Sequence, residues 1–286
     1  MSQELVQFFH NDTAAVERGK RGKKPLAQQV VNEFTREPGF EAHVKKSRAP
    51  KKPLPPITHF DAIPPEAYQA FEAEAIAAGK TAAADLRPSH PVQALPAYLR
   101  SLIAQTKAKS GRKAQKNAQV LLCPVISYPK TIKQVVAGGP KEYAVYRAWI
   151  RDCIDFAKEE WGDQFVFCGE HVDEKHGHLH LYGLAKWEGN KLTLGMAHPG
   201  QHANRVNKTG QREAYDAAMS AQQDRFYARV SVKYGHLRIS STPGPRLTRR
   251  EWKMGKELKE ARAEIERLKA LIDSSSPGKM ARRPGM

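Results

Sequence analysis

Cysteine is scarce in this chain: Cys123, Cys153 and Cys168 are the only three in 286 residues. An odd and scattered set excludes a disulfide framework and a zinc ribbon, and it points to a reducing compartment. No run of about 18 apolar residues occurs, so no membrane-spanning helix is expected. The opening residues MSQELVQFFHND lack a basic segment, a long apolar run and a small-residue cleavage site. They do not read as a secretory signal, which leaves the cytoplasm as the expected location. Acids are also in short supply. Only 30 Asp and Glu stand against 47 Lys and Arg, for a formal net charge of +17. That surplus suits a polyanionic partner, because each neutralised phosphate releases counterions. No internal repeat is visible.

What is present reads as a globular protein. Hydrophobic residues make up 40% of the chain, enough at this length for a real core. ELVQFFH (4–10) reads as a first strand. The basic, glycine-broken RGKRGKK (18–24) follows as a loop, and then PLAQQVVNEFTR (25–36) as a short helix. EAHVKKSRAPKKPLPP (41–56) is basic and proline-rich, hence extended and exposed. Helices are expected over 65–78, with Pro65 in the first turn, and over 95–109, running into the basic cluster KAKSGRKAQK (107–116). AQVLLCPVISYP (118–129) is a strand candidate broken by Pro124. The helix expected over 140–161 carries Tyr146, Trp149, Ile150, Cys153 and Ala157 on one stripe. Another is expected over 211–231. Over 248–273, Met254, Leu258, Ala261, Ile265, Leu268 and Ile272 alternate by four and three. This is a heptad seam, suited either to a coiled-coil dimer or to docking on the chain's own domain. The last residues, 274–286, have the composition of a disordered tail.

The densest chemistry lies in EHVDEKHGHLHLYG (170–183), which holds four of the eleven histidines. QFVFCGEHV and HLHLYGLA are strand-like, and DEKHG between them has a hairpin loop's composition, with His176 in the loop. Strand side chains alternate faces, so His178 and His180 point the same way, about 7 Å apart at the backbone. His171 lies across the hairpin from the pair, and Glu174 can swing toward the same face. Three imidazoles and a carboxylate with open positions suit Mn²⁺, Zn²⁺ or, more weakly, Mg²⁺. Asp173 is placed to orient a ligand histidine from behind. The helical zinc-hydrolase pattern H-E-x-x-H is absent, and HVDEKH misses the inverted form by one lysine.

HVDEKHGHLH resembles the third motif of HUH endonucleases, which nick one DNA strand using two histidines that flank a hydrophobic residue, here His178-Leu179-His180. More closely, H-x-D-E-x-x-(P/G)-H-x-H is similar to the Mob/Pre (MobV-like) plasmid mobilisation relaxases, with Gly177 where the family usually has proline. The resemblance covers roughly residues 115–255. It implies an α/β (α+β) fold with an antiparallel central sheet and flanking helices, plus a long C-terminal helix. It also implies His171, Glu174, His178 and His180 as ligands of Mn²⁺ or Mg²⁺, a bacterial host, and single-stranded and supercoiled DNA at a transfer origin as partner. The nucleophile of that group lies after the first strand, in an H-N-(E/D)-R-like motif. FHNDT offers His10, with Thr13 where arginine would stand, and His43 is a second candidate. No tyrosine occurs before Tyr68, so a tyrosine nucleophile would have to come from Tyr98, Tyr143 or Tyr146.

Under this reading residues 1–245 form the nicking domain, 246–273 a long helix that could pair with a second copy, and 274–286 a tail. Lys20, Arg21, Lys23, Lys24, Lys45, Lys46, Arg112 and Lys113 would line a groove for the DNA backbone. Two rivals remain. A rolling-circle initiator or transposase would share the metal hairpin but place a tyrosine, Tyr215 or Tyr227, on the helix after it. A basic DNA-binding or partition protein would hold a structural metal and cut nothing.

Overall fold

The computed structural model describes residues 5–17, 25–40, 44, 54–115, 117–239 and the helix over 249–275. The chain divides into two units, Met1–Ser240 and Ser241–Met286.

The first unit is a mixed α/β structure built on one antiparallel sheet. Its strands are β1 (Phe8–His10), β2 (Thr13–Ala15), β3 (Ile57–Asp61), β4 (Gln119–Leu122), β5 (Val125–Thr131), β6 (Phe165–His171) and β7 (His176–Leu184). Its helices are α1 (Ala27–Phe34), α2 (Pro65–Ala77), α3 (Leu95–Ser110), α4 (Ile132–Ala137), α5 (Gly139–Trp161), α6 (Pro199–Val206) and α7 (Gln211–Arg229). A small hairpin, β8 (Lys186–Glu188) with β9 (Lys191–Thr193), stands apart from the main sheet.

The seven strands form five rows. β3 pairs with β6 and β6 with β7; β4 and β5 share the next edge of β7, and β2 and β1 pair with them in turn. The last two rows, β4 with β5 and β2 with β1, are strands interrupted at matching points. Pro124 has no N–H to give the ladder, so the strand from Gln119 to Thr131 breaks there. Two backbone bonds span the break, Cys123 N–H to Asp12 O at 2.9 Å and Leu181 N–H to Pro124 O at 3.1 Å.

Alternation along the strands sorts residues onto two faces. On one face Phe9, Ile126, Tyr128, Leu179 and Leu181 meet α5 and α7. The stripe expected on α5 is buried there, and Tyr128 lies 4.8 Å from Tyr146 and 5.0 Å from Trp149, ring centre to ring centre. Phe226 of α7 lies 5.0 Å from Phe9. Each such side chain contributes about 1.5–3 kcal/mol on burial. On the other face Phe167 and Tyr182 meet Phe34 at the end of α1, with centroids 5.5 and 5.8 Å away. That second face carries the histidines.

Six of the elements named above escape the sequence pattern. β2, β8 and β9 are three residues each, β3 is five between prolines, α4 is six and α6 is only eight. One assignment is corrected: His176 is the first residue of β7, not part of the loop. It joins the ladder opposite Thr131, and its Nδ1 meets Tyr128 O at 3.1 Å. The connection between β6 and β7 is therefore 172–175.

The second unit contains α8 (Arg249–Ser275). Met254, Leu258, Ile265 and Leu268 of the heptad seam are each about half exposed, between 46% and 58%. The side chain of Ile272, the basic segments holding Lys20, Arg21, Lys23, Lys24, Lys45 and Lys46, and His43 lie outside the described residues, as do most of 41–56 and the tail from 276.

Candidate metal centre

Register brings the three histidines together. His171 on β6 is paired with His178 on β7, and His180 is the next residue on that face, opposite Gly169. The ring centroids of His171 and His180 are 4.7 Å apart, those of His178 and His180 5.0 Å, and those of His171 and His178 5.3 Å. One ligand nitrogen from each lies within 4.8 Å of the others. The rings are not splayed; His171 is 1% exposed, His178 9%, and His180 more.

Phe34 closes one side. Its ring stacks on His171 at 5.0 Å and meets the His180 ring edgewise at 5.3 Å. It fits because Gly169 lies beneath it; a Cβ there would come 2.3 Å from the Phe34 ring. The helix end also supplies a backbone carbonyl. His171 Nε2–H donates to Phe34 O at 2.8 Å, and His178 Nδ1–H donates to His176 O at 3.2 Å. A carbonyl can only accept, so the lone pairs of these rings are left on His171 Nδ1 and His178 Nε2. This division of labour between the two ring nitrogens is the one metal-binding imidazoles use.

The His171 ring stays neutral. Burial, then the positive charge of Arg36 and the neighbouring His178, push its pKa down from 6.5 to about 3. Burial also lowers His178, opposed mainly by Glu174. His171 Nδ1 is buried and accepts no hydrogen bond from the described residues. A buried lone pair without a donor is costly unless something electrophilic meets it. That atom, together with a nitrogen and oxygen donor set, fits a divalent cation.

The acids are arranged differently from the expectation. Glu174 Oε1 reaches to 3.5 Å from His178 Nε2, but it also accepts from Arg36 Nη2 at 3.0 Å. Among the described residues Asp173 hydrogen-bonds no histidine. Both its oxygens take the Arg36 guanidinium, at 2.8 and 3.1 Å, and Oδ2 also accepts the Leu54 N–H at 3.3 Å. Backbone carbonyls orient the rings instead. No sequence signal singled out Phe34 or Arg36, which sit in an unremarkable short helix and just beyond it.

His10 shares the cluster's face. It pairs with Val125, Val125 with His180, and His180 with Gly169, so all four lie in one cross-strand row. Two strand spacings separate His10 from His180, roughly 10 Å at the backbone. The His10 side chain is 64% exposed, with Asp12 Oδ2 3.9 Å from its Nε2.

The tyrosines lie elsewhere. Tyr146 is buried on the opposite face, where its hydroxyl donates to Glu170, which also meets His59 Nε2 at 2.7 Å. Tyr143 is exposed on the same helix α5, and Tyr98 is half-buried on α3. Tyr215 and Tyr227 belong to α7, which packs behind the sheet through Phe226 and through Gln222, whose Oε1 accepts from Asn11 Nδ2 at 2.8 Å. Arg112 and Lys113 follow α3 and line a cavity of about 760 Å³ with Lys191 and Arg205.

Gly177, the residue before His178, has a packing reason. A Cβ there would lie 2.0 Å from the Tyr146 hydroxyl oxygen. Gly177→Ala is expected to destabilise the fold by about 1–3 kcal/mol, the usual cost of forcing atoms into a filled site. Thermal unfolding measures it, and an unchanged melting temperature contradicts the tight seat of Tyr146 on β7.

Fold and cluster together define a mixed α/β protein with a histidine-lined candidate cation site on one face of an antiparallel sheet. No protein-family model and no curated protein matches the chain. Two solved structures are similar to it, both of the MobM relaxase domain (MOBV; Mob_Pre). One, bound to a 26-nucleotide oriT DNA of pMV158, is 16% identical over 54% of this chain and 79% of its own, with a TM-score of 0.35. The other is a Mn-bound crystal structure at pH 6.8 with plasmid pMV158 oriT DNA. It is also 16% identical at a TM-score of 0.35, over 55% of this chain and 72% of its own.

Proposed function

We propose that this protein is a DNA relaxase that nicks one strand at a plasmid transfer origin and holds the broken end covalently, so starting plasmid mobilisation. The observation that carries the reading is the convergence of His171, His178 and His180 on the face of an exposed His10, with His180 in the same cross-strand row as His10. The relaxase-like motif HVDEKHGHLH and the net charge of +17 agree with it.

In this reading His171, His178 and His180, with Glu174, hold a divalent ion, Mn²⁺ or Mg²⁺. When bound, it polarises a phosphodiester and offsets the charge that builds on its oxygens. His10 is the nucleophile. Its nitrogen lone pair attacks phosphorus, the bond from phosphorus to the 3′ oxygen breaks, and that oxygen leaves as a 3′-hydroxyl once protonated. The 5′-phosphoryl group stays on the enzyme and conserves the bond energy for rejoining. Lys20, Arg21, Lys23, Lys24, Lys45, Lys46, Arg112 and Lys113 contact the backbone of single-stranded and supercoiled DNA. Residues 1–245 supply the nicking domain.

The reading is tested on supercoiled plasmid carrying the DNA that flanks this gene. Mn²⁺ should convert it to open circles, and chelator should prevent this. Tight metal binding without cleavage in any divalent ion would select the non-enzymatic alternative.

The half-exposed seam on α8 is proposed to pair with a second copy of the chain, as apolar heptads do. The full-length protein should sediment as a dimer, and Leu258→Lys with Ile265→Lys should make it a monomer. A monomeric wild type contradicts the pairing.

A further inference from the structure

Arg36 lies two residues past the end of α1, far in sequence from the acids it meets. Its φ of 58° is the only positive value at a non-glycine position among the described residues. That shape closes the end of α1, where Arg36 N–H donates to Glu33 O at 3.3 Å and Glu37 N–H to Asn32 O at 2.9 Å, and it turns the Arg36 side chain toward the hairpin acids. There the guanidinium meets two carboxylates. Nε and Nη2 form a fork on Asp173, at 3.1 and 2.8 Å, and Nη2 also donates to Glu174 Oε1 at 3.0 Å. The side chains of Arg36 and Asp173 are only 5% and 1% exposed. The same Glu174 oxygen lies 3.5 Å from His178 Nε2. One oxygen therefore stands between a resident cation and a ligand nitrogen. His171, Asp173 and Glu174 form a second group whose ligand atoms lie within 4.8 Å of one another, and Arg36 holds both of its acids.

Building on the cluster's reading as a metal centre, we infer that Arg36 is a built-in counter-cation that draws Glu174 away from an incoming divalent ion and so weakens its binding. Arg36 is a positioning residue: it acts through Glu174, not on substrate. A guanidinium and a divalent ion that share one carboxylate oxygen repel each other, and the buried setting screens them poorly. For Glu174 to become a ligand, its Oε1 must exchange Nη2 for the ion while Asp173 keeps the fork.

The test is Mn²⁺ titration of the full-length chain, following free Mn²⁺ by its paramagnetic resonance signal, with a thermal melt of each variant. Arg36→Met should bind Mn²⁺ tighter than wild type by about tenfold, the effect of gaining one full carboxylate contact near the ion. Arg36→Met leaves Asp173 buried without its partner, which endangers folding. Arg36→Met with Asp173→Asn removes both buried charges and keeps the local net charge. It should still bind tighter than wild type, because Glu174 is released. Adding Glu174→Gln should erase the gain in either background. A folded double variant that binds no tighter, or a gain that survives Glu174→Gln, overturns the inference alone. A wild type that binds no Mn²⁺ at all overturns the metal reading beneath it as well.

Discussion

His178→Ala or His180→Ala should abolish Mn²⁺-dependent nicking of supercoiled plasmid, with a rate loss of at least about a thousandfold. That is the scale expected when several kcal/mol of charge stabilisation is removed from a phosphoryl transition state. DNA binding should be largely retained, since the proposed phosphate contacts lie on basic residues outside the cluster. The two rings contribute differently. His178 presents Nε2, fixed by the bond from Nδ1 to His176 O, and its side chain is 11% exposed. His180 also packs edgewise on Phe34, so its truncation opens space beneath that ring. His178→Gln is therefore the cleaner companion, as it keeps bulk and polarity and loses the imidazole. Gel conversion of supercoiled to open-circular plasmid is the readout, with filter binding as control. Undiminished cutting by both alanine variants removes the cluster from the chemistry.

The second large effect concerns His10. His10→Ala should eliminate the covalent adduct with an origin oligonucleotide and reduce nicking to background, a loss of the same order. Geometry is the reason to choose it. It projects from β1 on the face of the cluster, in one row with Val125, His180 and Gly169. The roughly 10 Å gap at the backbone is one that two inward-leaning side chains and a phosphodiester between them can fill. Intact-mass and peptide mass spectrometry of the reacted enzyme settles the residue. An adduct on any other residue refutes this assignment and leaves the cluster untouched.

The site's centre was legible because alternation on a strand is a strong rule. HLH on β-forming neighbours puts two imidazoles on one side, and a short loop brings His171 opposite. The α5 stripe was legible for the analogous reason of helical period. Other features depend on long-range partners that no local pattern encodes. Phe34 and Arg36 reach the hairpin from 137 residues away. Asp173 looked like a partner for a histidine because it is near one in sequence; the structure gives it a guanidinium. The composition of DEKHG suits a hairpin loop and draws His176 into it. Gly177 instead makes room for the Tyr146 hydroxyl on the far face, and β7 starts one residue before it. β3 went unread because five residues between prolines give too short an alternation to count.

Three imidazoles on β6 and β7 are proposed to grip one cation that a phosphodiester can reach. Pulsed paramagnetic resonance of Mn²⁺ bound to the protein reads this out through the nitrogen couplings of coordinated imidazole. Coupling from three histidine nitrogens is expected, reduced to two in His171→Ala, with a further change when a short single-stranded oligonucleotide is added. A bound ion without imidazole coupling, or a spectrum that His171→Ala leaves unaltered, would contradict it.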